Sequence, residues 1–149
     1  IQGLDGTVLL SPMGESSSFR GLLPSTQDYL VTVRSAAGGA HYTLNISIPE
    51  RVRSAPGAVE ATREGKLAAH QQHAYVLGAS AGQMLKVKVM APADTVRISI
   101  WGVDGTVLMS GMGGGYEFSG SLPYTQDYIV SLRTADLAVQ YTVVFSITD

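Results

Sequence analysis

One stretch of this chain is written twice, and that duplication restricts the fold more than any other feature. Gly3-Leu4-Asp5-Gly6-Thr7-Val8-Leu9 returns as Gly102-Val103-Asp104-Gly105-Thr106-Val107-Leu108, and Leu23-Pro24-Ser25-Thr26-Gln27-Asp28-Tyr29 returns as Leu122-Pro123-Tyr124-Thr125-Gln126-Asp127-Tyr128. Both pairs are 99 positions apart, as are Phe19 and Phe118, Arg34 and Arg133, and Tyr42 and Tyr141. Without any insertion, roughly half of positions 1–49 match their partners, the signature of a tandem structural unit.

Each copy has the alternation of a half-buried strand rather than the spacing of a helix. Tyr42, Leu44, Ile46 and Ile48 alternate with Thr43, Asn45 and Ser47, and Tyr29, Val31 and Val33 alternate with Leu30, Thr32 and Arg34. Fully burying the first four would contribute roughly 6 to 12 kcal/mol, so this strand is expected to pack rather than float free. Asp5-Gly6 and Asp104-Gly105 mark hairpins, because Gly tolerates the positive φ such turns need. Phe19 to Leu23 reads as a short strand before Pro24. Between the copies, 58–73 reads as two short strands, followed by strands at Tyr75-Val76-Leu77, Leu85 to Val89 and Val96 to Ile100, with a turn at Ser80 to Gln83. Many short strands punctuated by Gly and Pro predict an all-β, antiparallel β-sandwich of jelly-roll-like form.

The second copy also carries a resemblance. Gly65-Lys66-Leu67-Ala68-Ala69, Tyr75-Val76-Leu77, Ala81-Gly82-Gln83, the Asp104-Gly105-Thr106 hairpin and Leu122-Pro123 with Asp127-Tyr128-Ile129-Val130 resemble the bacterial pre-peptidase C-terminal domain. A g-type lysozyme inhibitor has a similar pattern. The resemblance implies a jelly-roll-like β-sandwich of the kind appended to secreted enzymes and repeated in surface proteins. Many members place paired Asp residues before the Tyr strand, where some are thought to bind calcium. Here that segment is His70-Gln71-Gln72-His73, so no calcium site is implied.

The duplication is unbalanced. Residues 1–49 and 100–148 are two latter halves, with one leading half at 51–99 between them. The expected organisation is the latter half of one sandwich at 1–49, a linker at 50–57, where Pro49, Arg51, Arg53, Ser54 and Pro56 cluster, and one complete sandwich at 58–149. A half of this size leaves strand edges and a sheet face bare, so it is expected to be completed by strands from elsewhere. The sources open to it are an upstream segment, a neighbouring subunit, or a single larger sandwich. Exchanging leading halves between identical chains leaves each chain one half short. The chain opens at Ile1 with neither an initiator Met nor a leader, so an upstream segment is expected, cleaved or outside this stretch.

Composition excludes several classes. The formal charge is -2 and Lys occurs only at 66, 86 and 88, so no basic stripe exists for nucleic acid. No apolar run approaches the ~20 residues that cross a bilayer as a helix. Cysteine is absent, which excludes disulfides and thiolate metal sites. Abundant small residues and sparse charge fit an extracellular or cell-surface location.

No catalytic, cofactor or metal site is expected. Gly78-Ala79-Ser80-Ala81-Gly82 matches G-x-S-x-G, but a nucleophile elbow joins a strand to a helix and needs a His, and none follows Ser80. A β-turn explains it. His70 and His73 lack a third ligand and read as loop residues, His41 is alone, and Gly113-Gly114-Gly115 reads as a hairpin loop without the Lys of a phosphate cradle. Asp28 and Asp127 read as turn or strand-start hydrogen bonders. Asn45-Ile46-Ser47 is a sequon for N-glycosylation. Trp101, Tyr116 and Tyr124 form a candidate contact surface, toward a neighbouring repeat or toward glycans.

The leading expectation is a non-enzymatic structural protein, joining copies of itself head to tail into a filament or surface array. The alternative is a binding module, either an accessory domain targeting a secreted enzyme to a polymer or a lysozyme-inhibitor-like protein.

Overall fold

The computed structural model describes residues 1–149 apart from 12, 14–15, 54–58, 93–94 and 112–114. The chain divides into two units, Ile1–Asn45 and Ile46–Asp149.

The second unit is a β-sandwich. Its strands are β3 (Glu50–Arg51), β4 (Glu60–Leu67), β5 (Gln72–Ala79), β6 (Met84–Met90), β7 (Val96–Gly102), β8 (Val107–Met109), β9 (Glu117–Ser121), β10 (Gln126–Thr134) and β11 (Val139–Thr148). One sheet has the order β3-β5-β10-β7-β8 and the other β4-β11-β6-β9. Every pairing is antiparallel except β3 on β5, which is parallel.

Period-two alternation decides which side chains go inside. Leu85, Val87 and Val89 of β6 face Ile147, Phe145 and Val143 of β11 in register, and all but the half-buried Ile147 are buried. From the other sheet come Tyr75 and Leu77 of β5, Ile98 and Ile100 of β7, and Tyr128, Val130 and Leu132 of β10. The chain shuttles between sheets, so most pairings join residues distant in sequence. A sandwich cut between residues 99 and 100 would lose the β5–β10, β4–β11, β6–β11 and β6–β9 ladders.

The first unit has little ladder of its own. Its strands are β1 (Gln2–Gly3) and β2 (Tyr29–Leu30), paired Gly3 to Tyr29 and Gln2 to Leu30, with a bridge from Gln2 to Val8. These correspond, 99 positions on, to Gly102 with Tyr128, Trp101 with Ile129, and Trp101 with Val107. Both partners of each lie in the latter half, as do those of Ile100 with Val130 and of Ile100 with Met109. In the second unit β9 needs β6, β10 also needs β5, and β11 needs β4 and β6, all leading-half strands. The strands expected at Phe19 to Leu23 and Tyr42 to Ile48 are accordingly not formed. Tyr42, Leu44, Ile46 and Ile48 are 67%, 50%, 66% and 76% exposed, whereas Tyr141, Val143 and Phe145 are 3%, 0% and 1% exposed.

Candidate functional site

The most elaborate chemistry of the second unit lies along one edge, where β3 and β5 of one sheet face β4 and β11 of the other. β3 belongs to the segment expected as linker. Glu50 and Arg51 align with Tyr75 and Val76, Val52 N-H donates to Val76 O at 2.9 Å, and the Val52 side chain is buried in the core. Residues 54–57 of that linker lie outside the described residues.

Two ion pairs fasten this strap. Arg63 Nε donates to Glu50 Oε1 at 2.7 Å and ties β4 to β3 across the two sheets. Arg51 forks onto Asp127, Nη1 donating to Oδ1 at 3.0 Å and Nη2 to Oδ2. The fork passes over Gly78, where a Cβ would come 3.2 Å from Asp127 Oδ1. The Arg51 guanidinium beside it holds the Asp127 carboxyl below its ordinary range, and Asp127 in turn raises Arg51. Both side chains keep partial solvent contact, 45% for Arg51 and 27% for Asp127, so the pair is worth about 1 kcal/mol or less. Its geometry is more informative than its energy, because the planar fork matches both oxygens of the carboxylate at once.

Beneath the strap lies a cleft of about 360 Å³ whose apolar wall includes Val52, Ala61, Leu77 and Phe145, with Arg51 and Arg53 at its rim. Deeper in the same edge the Tyr141 hydroxyl meets the Tyr75 hydroxyl at 2.6 Å and His73 Nδ1 at 2.7 Å. Burial pushes both phenols above their ordinary range, so they stay neutral. Tyr141 reaches this place because Gly65 lies opposite it, where a Cβ would meet the hydroxyl at 2.5 Å.

At the end of the same sheet the Asp-Gly turn makes a second ordered cluster. Thr106 N-H donates to Asp104 Oδ1 at 2.9 Å, Asp104 N-H to Gln126 Oε1 at 3.1 Å, and Tyr128 hydroxyl to Tyr124 O at 2.6 Å. Gly105 has φ 92°, as an Asp-Gly hairpin demands. The first unit has the same bonds: Thr7 N-H to Asp5 Oδ1 at 2.8 Å, Asp5 N-H to Gln27 Oε1 at 2.9 Å and Tyr29 hydroxyl to Ser25 O at 2.8 Å. Backbone donation from Thr106 and from Thr7 lowers the Asp104 and Asp5 carboxyls. One difference separates them. Gln27 Nε2 donates to Ser25 Oγ at 2.8 Å, but Tyr124 stands in place of Ser25 and leaves Gln126 Nε2 buried without an acceptor among the described residues.

The residues singled out from sequence are scattered. Ser80 sits in a strand-to-strand turn, its N-H bonded to Gln83 Oε1, with β6 following instead of a helix. His70 is exposed in a turn at φ 61° and 4.0 Å from Asp136, whereas His73 is no loop residue but lies in β5 and turns toward Tyr141. His41 and Asn45 are exposed in the first unit. Gly113 and Gly114 lie outside the described residues. Trp101 is half-buried on β7, while Tyr116 and Tyr124 are exposed and flank β9 of the other sheet, so the three aromatics belong to different sheets. Asp127 stands at the start of β10 and its carboxylate receives Arg51, while Asp104 is the carboxylate that bonds within the Asp-Gly turn. The fork was hidden from sequence reading because its ends are 76 residues apart. Among the described residues no group of three His, Asp or Glu gathers as a metal site.

These layers and connections define a β-sandwich of the type found in periplasmic lysozyme inhibitors and pre-peptidase C-terminal domains. The chain is similar to Aeromonas hydrophila PliG, a periplasmic inhibitor of g-type lysozyme, with TM-score 0.58 and 20% identity, covering 67% of this chain and 96% of that one. A mutant of the Escherichia coli inhibitor matches with TM-score 0.53 and 17% identity, over 67% and 97%. The pre-peptidase C-terminal domain of Bacillus anthracis collagenase matches with TM-score 0.52 and 12% identity, over 71% and 100%. At these identities the likeness establishes the fold. No protein-family model matches the chain, and no curated protein matches it in sequence.

Proposed function

We propose that this is a non-catalytic, extracellular β-sandwich protein whose work is to present surface and to join others of its kind head to tail, with residues 1–49 as a half-module completed by strands from outside the 58–149 module. The observation that carries this reading is the reversal of burial between counterparts: Tyr42, Leu44 and Ile46 are exposed where Tyr141, Val143 and Phe145 are enclosed. An apolar row of this kind beside unpaired backbone is a template for another strand. Its binding chemistry is backbone pairing plus burial, which needs no cofactor. Size-exclusion chromatography with light scattering tests it. Association of the chain with an added segment of the residue 50–99 type, weakened in Leu44→Asp, is expected, whereas a monodisperse monomer with protected amides at 42–48 in the chain alone refutes it.

A second reading rests on the likeness to three periplasmic inhibitors, each matched over at least 96% of its length. In it the complete module binds a lysozyme, or serves a secreted enzyme by holding a polymer. Inhibition of g-type lysozyme by the intact chain, or saturable retention on polysaccharide, supports this reading; neither occurring removes it.

A further inference from the structure

The first unit is unfinished in a way that the second unit describes residue by residue. Building on the reading that residues 1–49 are completed from outside, we propose that the completing segment has the character of residues 50–99 but is not residues 50–99 of this chain or of a copy of it, and that Asp28 selects it by receiving an arginine as Asp127 receives Arg51.

Three observations carry this. The receiving end is already built: Gly3 pairs with Tyr29 as Gly102 pairs with Tyr128, and Leu4 N-H donates to Asp28 O at 3.2 Å as Val103 N-H donates to Asp127 O at 3.0 Å. The backbone of Asp28 is thus held against its turn in the manner of Asp127, yet its side chain is exposed where that of Asp127 is covered in part by Arg51. By its repeat position the exposed Asp28 carboxylate is placed to receive a planar cation as Asp127 receives Arg51, a contact that a ladder of backbone bonds alone does not supply.

The rest of the latter half makes matching demands. In the second unit Leu85, Val87 and Val89 stand opposite Ile147, Phe145 and Val143, and Ala61 also faces Phe145. The exposed counterparts Ile48, Ile46 and Leu44 therefore ask for apolar residues at the same alternate positions. The exposed Tyr42 corresponds to Tyr141, whose hydroxyl is shared with Tyr75 and His73. The segment that fits has a basic residue on a short parallel strand, then three longer strands with alternate apolar residues, and a Tyr in the second of them.

The chain's own leading half cannot serve both units. β4, β5 and β6 are fully engaged with β10 and β11, and donating them to another copy would strip residues 100–149 of the same partners. Each transfer moves the vacancy without filling it.

The experiment joins a second copy of residues 50–99 ahead of Ile1 and follows amide exchange at residues 1–49. Protection of 42–48 comparable to that of Tyr141–Ile147 is expected. In that extended protein Asp28→Asn is expected to speed exchange in the first module by about two- to fivefold, as loss of a partly exposed ion pair would. Asp28→Arg combined with Arg51→Asp in the added copy alone is expected to restore protection, which a merely structural role for Asp28 would not produce. If the added copy orders residues 1–49 and Asp28→Asn changes nothing, selection by Asp28 is overturned while completion stands. If the added copy leaves 42–48 unprotected, completion by such a segment falls with it.

Discussion

Phe145→Ala and Ile46→Ala change counterpart positions, and the structure assigns them opposite consequences. The Phe145 ring is enclosed between the sheets and meets Tyr75 edge-on, with centroids 5.3 Å apart at 63°. Truncating a buried Phe to Ala costs about 3 to 5 kcal/mol, of which the ring contact accounts for about 0.5 to 1.5. A module of this size holds about 5 to 15 kcal/mol in all, so roughly a fifth or more of its stability is at stake. Ile46 is mostly in solvent, and its truncation is expected to stay within about 0.5 kcal/mol. The single tryptophan, Trp101, lies in the second unit and reports its unfolding in urea. Phe145→Ala should lower that midpoint by roughly 1 to 5 M, given slopes of about 1 to 3 kcal/mol per molar. Ile46→Ala should leave it in place and leave amide exchange at 1–45 unchanged. A loss below about 1 kcal/mol for Phe145→Ala, or above about 2 kcal/mol for Ile46→Ala, would refute the assignment of one row as core and the other as bare surface.

Gly102→Ala puts a Cβ 2.6 Å from Asp104 Oδ1 and closer still to Gln126 Nε2, so the turn must open; a loss of about 2 to 3 kcal/mol by urea unfolding is expected. Tyr124→Ser supplies Gln126 Nε2 with the acceptor that Ser25 gives Gln27, and Tyr124 is exposed, so a gain of about 1 kcal/mol is expected from the same assay. The Asp127 carboxyl is lowered by Arg51, so the stability it contributes is present above the ordinary carboxylate value of about 3.8 and is lost as pH falls through the depressed one. Acid titration of the wild type should therefore show a steeper decline below about pH 4 than Asp127→Asn shows.

Alternation at Tyr141–Ile147 made that strand and its inward face legible, whereas the same alternation at Tyr42–Ile48 forms no strand and leaves its apolar residues exposed. The expectation that residues 1–49 are half of a module came from counting halves, and the few ladders of the first unit join residues within that stretch. β3 was not legible. Two residues cannot display a period, and Val52 is a lone apolar residue between two arginines in a stretch that Pro49 and Ser54 mark as connecting chain. The place of His73 was present in the sequence as parity, since it is two residues before Tyr75 and so shares its face, but Gln71 and Gln72 beside it suggested a loop. The Arg51 to Asp127 fork joins residues from distant strands, and nothing local announces such a pair.

The short parallel strand also determines how the second unit would feel tension. Load arriving along the chain from residue 49 enters at β3, which runs parallel to β5 and is held by few backbone bonds, the buried Val52 and two ion pairs. Pulling on it slides these contacts past one another before any force reaches β4. The strap is thus a fuse in series with the sandwich: it gives way first, lengthens the connection by several residues at about 3.3 Å each, and leaves the two main sheets intact.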